Sequence, residues 1–179
     1  MKKLNLGCGN NIRSGYVNLD NVKLDGVDIV HDLNKYPYPF KNNEFDEIIC
    51  HHILEHLDNI PKCLKELSRI GRKGAKIKIR APHFASYSAW TDLTHKHPFG
   101  WASLDYVASN KTHKHSVGKK LSHEYGEERF NVKRKLIFGK VHRFMGMGLF
   151  ANKFPLLYET FLAYIFPPRE ITFELEVVK

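Results

Sequence analysis

A strand, a helix and a second strand follow one another in the first half of this chain, and no other feature limits the fold as much. Residues 45–50 are rich in β-branched side chains, as is typical of a buried strand. Residues 58–71 repeat apolar side chains at helical spacing and end on a glycine. Residues 75–81 alternate apolar with basic side chains, which predicts another strand. Because a helix that connects two strands usually places them in parallel, we expect a doubly wound α/β sheet.

Further strands and a second apolar segment surround this unit. Strands are predicted at residues 3–6, 16–19, 28–31 and 132–139, and residues 170–178 alternate as expected of a final strand. Residues 83–130 contain few periodic stretches, so loops and short helices are expected there. Residues 144–166 are apolar and aromatic, and a helix is expected to start near Pro155.

The composition is that of one globular domain. A length of 179 residues suits a single domain, and a hydrophobic fraction of 42% with a charged fraction of 26% excludes a disordered or collagen-like chain. Cys8, Cys50 and Cys63 are too few and too scattered for a disulfide framework, so a reducing compartment, the cytoplasm, is the expected location. No apolar run approaches the ~20 residues of a membrane span, and no signal peptide is expected.

Gly7-Cys8-Gly9 directly follows a predicted strand, and this loop is a candidate nucleotide-binding site. Glycine allows the backbone to turn sharply and to approach a ligand closely. A dinucleotide site would need a third glycine where Ile12 stands, and a longer connection than the 13 positions from Gly7 to the acidic Asp20. The short connection leaves little room for a helix that binds a pyrophosphate. A ligand with adenosine but no phosphate, such as S-adenosylmethionine, therefore fits better.

Two carboxylates at neighbouring strand ends could bind that adenosine. Asp20 ends the second strand and can accept hydrogen bonds from both ribose hydroxyls. Asp32 follows the third strand and can accept one from the adenine amino group, while the backbone of Leu33 meets the ring edge. A turn or capping role is the alternative for each carboxylate alone, but their joint placement beside the glycine loop favours binding.

Five motifs occur in a fixed order over residues 3–82. They are Leu4–Asn10 (LNLGCGN), Tyr16–Asp20 (YVNLD), His31–Leu33 (HDL), Phe45–Ile49 (FDEII) and Glu55–Leu57 (EHL). This set resembles the motifs of class I S-adenosylmethionine-dependent methyltransferases of the small type 11 group, and residues 71–82 are similar to the turn and fifth strand of that family. The resemblance implies S-adenosylmethionine as cofactor. It also implies a Rossmann-like, seven-stranded sheet that is mostly parallel, with residues 170–178 as its antiparallel last strand.

The resemblance further assigns roles to individual residues. By it, Gly7, Cys8 and Gly9 line the cofactor, Asp20 binds the ribose, Asp32 and Leu33 bind the adenine, and His51 faces the methionine part. Two departures from the family are informative. Asn5 stands where many members carry an acidic residue, so a weaker pairing with the ammonium of the cofactor is expected. The short connection from Gly9 to Asp20 predicts a shortened first helix, a single turn around residues 11–15.

Most of the remaining chain is expected to bind the methyl acceptor. Within one domain, we expect residues 1–82 to bind the cofactor, residues 83–168 to cover the acceptor and residues 169–179 to add the final strand. The middle segment is rich in histidine, with His83, His95, His97, His113, His115 and His123. Because histidine titrates near neutral pH, we hypothesise that His95 is a general base, with Asp92 as its orienter or as an acceptor from a substrate hydroxyl. A surface histidine bonded within its own loop is the alternative.

A metal site is not predicted. His52-Ile53-Leu54-Glu55-His56 matches the H-x-x-E-H pattern of inverted zinc peptidases. That pattern requires both histidines on one helix, whereas here it follows directly on a strand, so we expect neither zinc nor protease activity. A His-x-His site at residues 95 and 97, or at residues 113 and 115, stays open, although spacing fixes no third ligand.

The late part of the chain is also rich in basic residues. These are Lys111, Lys114, Lys119, Lys120, Lys133, Arg134, Lys135, Lys140 and Arg143. A solvated face is one interpretation, and an anionic acceptor is the other. We expect transfer to a small or glycan-like acceptor, at oxygen, with the positive excess on the acceptor side. An RNA methyltransferase and a non-catalytic S-adenosylmethionine-binding module are the alternatives.

The sequence leaves open what covers the apolar side chains of the segment 144–166. Burial as a core helix or a lid is the expected outcome. A dimer face and a peripheral contact with a membrane surface are the alternatives. The sequence does not predict the oligomeric state.

Overall fold

Seven strands form one mixed sheet in the computed structural model, which describes residues 1–109 and 129–179. They are β1 (Lys3–Leu6), β2 (Val17–Asp20), β3 (Ile29–Val30), β4 (Phe45–His51), β5 (Gly71–Pro82), β6 (Phe130–Ile137) and β7 (Glu170–Val177). Their order in the sheet is β3-β2-β1-β4-β5-β7-β6. The pairs among β1 to β5 are parallel, and β7 runs antiparallel to both β5 and β6. The Rossmann-like class with an antiparallel last strand is confirmed.

One long helix connects the two central strands. This helix, α1 (Ile60–Ile70), begins at Asn59, whose side chain accepts a hydrogen bond from the Lys62 backbone at 2.9 Å. Pro61 lies in its first turn, where a missing N–H costs nothing. Because α1 crosses from β4 to β5, the carboxyl ends of these strands share one edge of the sheet with those of β1 and β2.

The remaining helices of the described chain are short. They are a 3-10 turn at Leu54–His56, α2 (Ser88–Thr91), α3 (Lys140–Phe144), α4 (Met147–Lys153) and α5 (Pro155–Phe161). The stretch after β5 thus consists of loops and one helical turn up to residue 109, as expected of an insertion after the fifth strand.

The connection from β1 to β2 contains hydrogen-bonded turns and no helix. Two buried asparagine side chains hold it in place. Asn5 donates from Nδ2 to the Asn11 carbonyl at 2.8 Å and to Asn18 Oδ1 at 3.0 Å, and Asn18 Oδ1 also accepts from the Arg13 backbone at 3.0 Å. Side-chain amides therefore supply the bonds that a helix would have made within its own backbone. The single helical turn predicted around residues 11–15 is absent.

The hydrophobic core lies along the sheet. Leu4, Leu6, Ile48 and Ile77 in the parallel strands are fully buried, and Phe173 of β7 joins the same cluster. Strand β5 begins at Gly71, earlier than the predicted residue 75. Gly71 pairs with Phe45 and Lys76 with Glu47, so the register shifts here and the extra residues 72–75 bulge out of β5.

The apolar segment 144–166 is mostly exposed. Of its side chains, Ala151, Tyr158 and Ala163 are buried, whereas Phe144 and Leu149 are 94% and 83% exposed. The expected burial as a core helix or a lid is therefore wrong for most of the segment, because α3, α4 and α5 are each too short to bury a continuous apolar face. Among the described residues, no helix has the length and apolarity needed to span a bilayer.

Candidate functional site

The glycine loop lies at the carboxyl end of β1, beside the ends of β2 and β4. Gly7 has a φ of 65°, and a Cβ there would lie 2.4 Å from Ile53 Cγ1. Gly9 has a φ of 48°, and a Cβ there would have no neighbour within 4 Å. Both positions use the left-handed backbone that favours glycine. Gly7 lets the loop pack on Ile53, and Gly9 leaves an open concave backbone.

Asp20 closes this loop from the end of β2. Its Oδ2 accepts a hydrogen bond from the Gly9 backbone at 2.7 Å, and its Oδ1 accepts one from Val22 at 3.1 Å. The neighbouring Cys8 is buried, and burial raises the pKa of its thiol. The structure therefore brings Gly7, Cys8, Gly9 and Asp20 into one connected group, with the carboxylate beside the open glycine.

Asp32, Leu33 and His51 lie at the ends of the adjacent strands. Asp32 follows β3, and its Oδ1 accepts from the Asn34 backbone at 3.0 Å, a turn bond that leaves Oδ2 facing Lys35 Nζ at 4.0 Å. The Leu33 side chain is buried, and its carbonyl accepts from the Tyr38 hydroxyl at 3.1 Å. His51 ends β4, and burial together with Arg13 and Arg80 lowers the pKa of its imidazole, which favours the neutral form.

A second group of polar residues lines a cavity of about 350 Å³ at the ends of β4 and β5. Its walls come from the turn after β4, from α2 with the loop that follows it, and from the start of β7; they include His52, Glu55, His56, Thr91, Asp92, His95, Arg169 and Glu170. The Glu55 carbonyl accepts from the backbones of Lys96 at 2.8 Å and His97 at 3.3 Å. These two bonds hold the loop of residues 92–97 against the end of β4.

His95 and Asp92 both face this cavity. His95 Nδ1 lies 3.2 Å from the Ala89 carbonyl, which can only accept, so Nδ1 carries the proton. His95 Nε2 lies 3.7 Å from Asp92 Oδ2. Asp92 Oδ1 accepts from the Thr94 backbone at 2.9 Å and from the Thr94 hydroxyl at 2.6 Å. A backbone carbonyl thus accepts the hydrogen bond that orients His95, and Asp92 is a charged neighbour of Nε2.

Glu55 and His56 belong to the same group, although sequence reasoning did not nominate them. Glu55 is only 1% exposed, and neither of its carboxylate oxygens has a hydrogen-bond partner in the described part of the chain. His52 Nδ1 lies 3.4 Å from Glu55 Oε1, and this carboxylate raises the pKa of His52. The H-x-x-E-H spacing pairs His52 with His56, whereas the structure groups Glu55 and His56 with His95, a residue that no sequence spacing connects to them.

Several residues considered from the sequence lie outside the described residues. They are Lys111, His113, Lys114, His115, Lys119, Lys120 and His123. Of the described basic residues, Arg134 forms an ion pair with Asp105, and its side chain is nearly fully buried. Arg134 is therefore part of the packed structure and not of a charged surface.

Comparison with known proteins agrees with this geometry. Residues 17–79 match the model of a family described as "Methyltransferase domain". This match spans β2 to β4, the helix α1 and most of β5, which is about a third of the chain. No curated protein matches the sequence.

Solved structures share the fold of this chain over almost its whole length. A SAM-dependent methyltransferase from Archaeoglobus fulgidus has a TM-score of 0.56 and 18% identity, with 98% of this chain and 85% of that chain covered. One from Mesorhizobium loti has a TM-score of 0.53 and 15% identity, with 98% and 90% covered. One from Aquifex aeolicus has a TM-score of 0.51 and 13% identity, with 100% and 82% covered.

Proposed function

We propose that this protein is a methyltransferase that transfers the methyl group of S-adenosylmethionine to an oxygen of a small or glycan-like acceptor. The observation that carries the proposal is the bond between Asp20 Oδ2 and the Gly9 backbone, which joins the ends of β1 and β2 into one cradle. Gly9 leaves open space where a side chain would stand, so a ligand can approach the backbone there.

In this proposal the cradle binds the nucleoside part of the cofactor. Each carboxylate oxygen of Asp20 accepts one bond from a backbone N–H, of Gly9 or Val22, and keeps a second lone pair. These free lone pairs accept hydrogen bonds from the two ribose hydroxyls. Asp32 and the Leu33 backbone meet the adenine, and His51 lies toward the methionine part, with Gly7 and Cys8 lining the loop. When bound, S-adenosylmethionine supplies a methyl group on a positively charged sulfur.

The cavity beside the cradle is proposed to hold the acceptor. Its volume of about 350 Å³ suits a small molecule or a single sugar better than a folded nucleic acid. Arg169 in its wall offers a positive charge to an anionic acceptor. The cavity-lining residues between Tyr87 and His95 support the division of the chain into a cofactor-binding part, residues 1–82, and an acceptor-covering part, residues 83–168.

An oxygen acceptor is favoured by the chemistry of the cavity wall. A hydroxyl must lose its proton to become a good nucleophile, and His95, with Nδ1 protonated, presents Nε2 as the basic nitrogen. Asp92 beside Nε2 stabilises the imidazolium that forms. Most of the remaining rate enhancement would come from the position of the acceptor against the methyl group.

Calorimetric titration with S-adenosylhomocysteine tests the cofactor site. Wild-type protein should bind, and Asp20→Ala should bind about 10- to 100-fold more weakly, because a charge-assisted hydrogen bond contributes about 1.5–3 kcal/mol. Asp25→Ala is the matched control, since Asp25 is an exposed turn residue beyond β2. Absence of binding by the wild type would overturn the proposal, and binding without any methyl transfer in a labelled-methyl screen would instead indicate a non-catalytic module.

A further inference from the structure

Three potential metal ligands from two separate parts of the chain meet in the acceptor cavity. Glu55 and His56 lie in the 3-10 turn after β4, and His95 lies in the loop after α2. One ligand atom of each side chain lies within 4.8 Å of the other two. Two imidazoles and one carboxylate are a set that binds Zn²⁺ and related divalent ions with a coordination position left open.

The burial of Glu55 is a second, independent observation. A carboxylate that is 1% exposed and has no hydrogen-bond partner for either oxygen is costly unless a positive charge compensates it. His52, at 3.4 Å from one oxygen, compensates only part of this charge and is itself shared with Glu170 at 3.2 Å. A divalent ion would satisfy both oxygens of Glu55.

The proton positions on the two histidines point the same way. The single hydroxyl proton of Thr94 goes to Asp92 Oδ1, at 2.6 Å, so the 2.9 Å bond between Thr94 Oγ1 and His56 Nδ1 must be donated by His56. His95 Nδ1 donates to the Ala89 carbonyl. The neutral form of each ring therefore has its proton on Nδ1 and leaves Nε2 free to bind a metal, and each ring is held by a partner on Nδ1, as is usual for histidines that bind metals.

We propose that Glu55, His56 and His95 bind one divalent transition-metal ion, with Zn²⁺ as the ion best matched to these ligands. Asp92 and Thr94 would orient His56 and would not touch the ion. The proposal departs from the expectation, based on the H-x-x-E-H spacing alone, that this part of the chain binds no metal.

The role of the ion rests on the proposed function, whereas its binding does not. At the open position it would bind the acceptor hydroxyl and lower the pKa of that group. The O–H bond then breaks with its proton passing to water, and the new C–O bond forms as the C–S bond breaks and its electron pair returns to sulfur. With the ion bound, His95 acts as a ligand, and the metal replaces its role as a direct base.

Titration with Co²⁺ tests the site without cofactor or acceptor. Untagged full-length protein, freed of metal with a chelator and desalted, is titrated with Co²⁺ while its visible spectrum is recorded, and Zn²⁺ is then added as competitor. One Co²⁺ per chain, with a spectrum of low coordination number that Zn²⁺ abolishes, is the expected result. Failure of the wild-type protein to bind either ion would overturn the proposal.

Variants locate the ion within the chain. Glu55→Gln, His56→Gln and His95→Gln should each abolish stoichiometric binding, whereas Thr94→Val, which removes only the hydroxyl behind His56, should weaken it about 10- to 100-fold. His31→Gln should bind as the wild type does, because His31 follows the edge strand β3, which β2 and β1 separate from β4, and its Nε2 lies 3.0 Å from the Lys35 carbonyl. Unchanged binding by all three ligand variants would place the ion elsewhere and overturn the proposal.

Two further measurements separate this proposal from other causes of failure. Thermal unfolding of each metal-free variant, followed by circular dichroism, shows whether the loss of metal binding is due to loss of the fold. Glu55→Gln suits this comparison because it keeps the shape of the side chain. Binding of S-adenosylhomocysteine by the wild type in the presence of chelator should be unchanged. If the cofactor binds and the metal does not, the proposed function stands and His95 remains the candidate base.

Discussion

Gly7 shows how a single missing side chain positions the glycine loop. Its backbone is left-handed, and a Cβ would lie 2.4 Å from Ile53 Cγ1, well inside contact distance. Ile53 belongs to the turn after β4, so the contact ties the glycine loop to the segment that carries Glu55 and His56. One residue thereby connects the proposed cofactor site with the proposed acceptor cavity.

Gly7→Ala should therefore cost more stability than Gly9→Ala. Both replacements force alanine into left-handed backbone, which costs about 1–2 kcal/mol. Only the first also overpacks against Ile53, which adds about 1–3 kcal/mol. Urea unfolding of both variants measures the difference, and the double variant Gly7→Ala with Ile53→Ala should recover part of the packing cost. Equal losses for the two single variants would contradict the role of Ile53.

At the scale of elements, the central strands are joined by an ion pair as well as by their backbones. Glu47 of β4 accepts from Lys78 Nζ of β5 at 2.8 Å and from the Tyr16 hydroxyl at 3.1 Å. The hydrogen bond from Lys78 lowers the pKa of Glu47 against the opposing effect of burial. Since the folded-state pKa lies below the unfolded one, the pair stabilises the fold above the unfolded pKa, and this contribution disappears as the pH falls through the folded pKa.

Glu47→Gln should thus lower stability at pH 7 but not at pH 3. The expected loss at pH 7 is at most about 1 kcal/mol, because Lys78 is largely exposed to solvent. Urea unfolding of wild type and variant at both pH values measures it. The control is Glu176→Gln, which removes a more exposed pair with Lys76, at 2.9 Å, and should change stability less at pH 7. A loss for Glu47→Gln that is the same at pH 3 would show that packing, not charge, is responsible.

The sequence predicted the helices and strands correctly wherever the local spacing of apolar side chains determines the secondary structure. The prediction agrees with the structure for the strands β1 to β4 and β7 and for the helix α1. Their apolar side chains recur at strand or helical spacing, and the packing of the folded protein does not override this local pattern. The β1 to β2 connection differs because Asn5 and Asn18 replace helical hydrogen bonds through contacts that only the folded sheet creates. The grouping of His95 with Glu55 was not predictable either, because 40 residues separate them and backbone bonds from Lys96 and His97 bring them together.

For the whole molecule, the net charge of +9 is divided unevenly along the chain. Residues 1–82 hold 14 basic and 10 acidic residues, residues 83–168 hold 12 and 6, and residues 169–179 hold 2 and 3, so the three parts carry +4, +6 and −1. By this count the excess lies mainly with the part that is expected to cover the acceptor, although Arg134 within it is buried. Among the described residues, charge and exposed apolar surface come together in the segment 140–165.

This segment is expected to bind anionic membrane surfaces. Val141, Phe144, Leu149, Phe161 and Ile165 are between 64% and 94% exposed, and Lys140, Arg143 and Lys153 lie on the same short helices. Apolar side chains flanked by cations suit the headgroup region of an anionic bilayer, where both burial and charge contribute to binding. A glycan acceptor on a lipid carrier would then be presented at the surface that the segment occupies.

Flotation with vesicles tests this expectation. The protein should float with vesicles that contain phosphatidylserine and much less with pure phosphatidylcholine, and added salt should weaken the interaction. Phe144→Ala combined with Leu149→Ala should abolish flotation, because both side chains are almost fully exposed and would enter the bilayer first. Val30→Ala, at an exposed apolar position on the edge strand β3, should leave it unchanged. A protein that stays in the soluble fraction with every vesicle, and sediments as a dimer whose formation the double variant prevents, would assign the exposed face to a second copy of the chain.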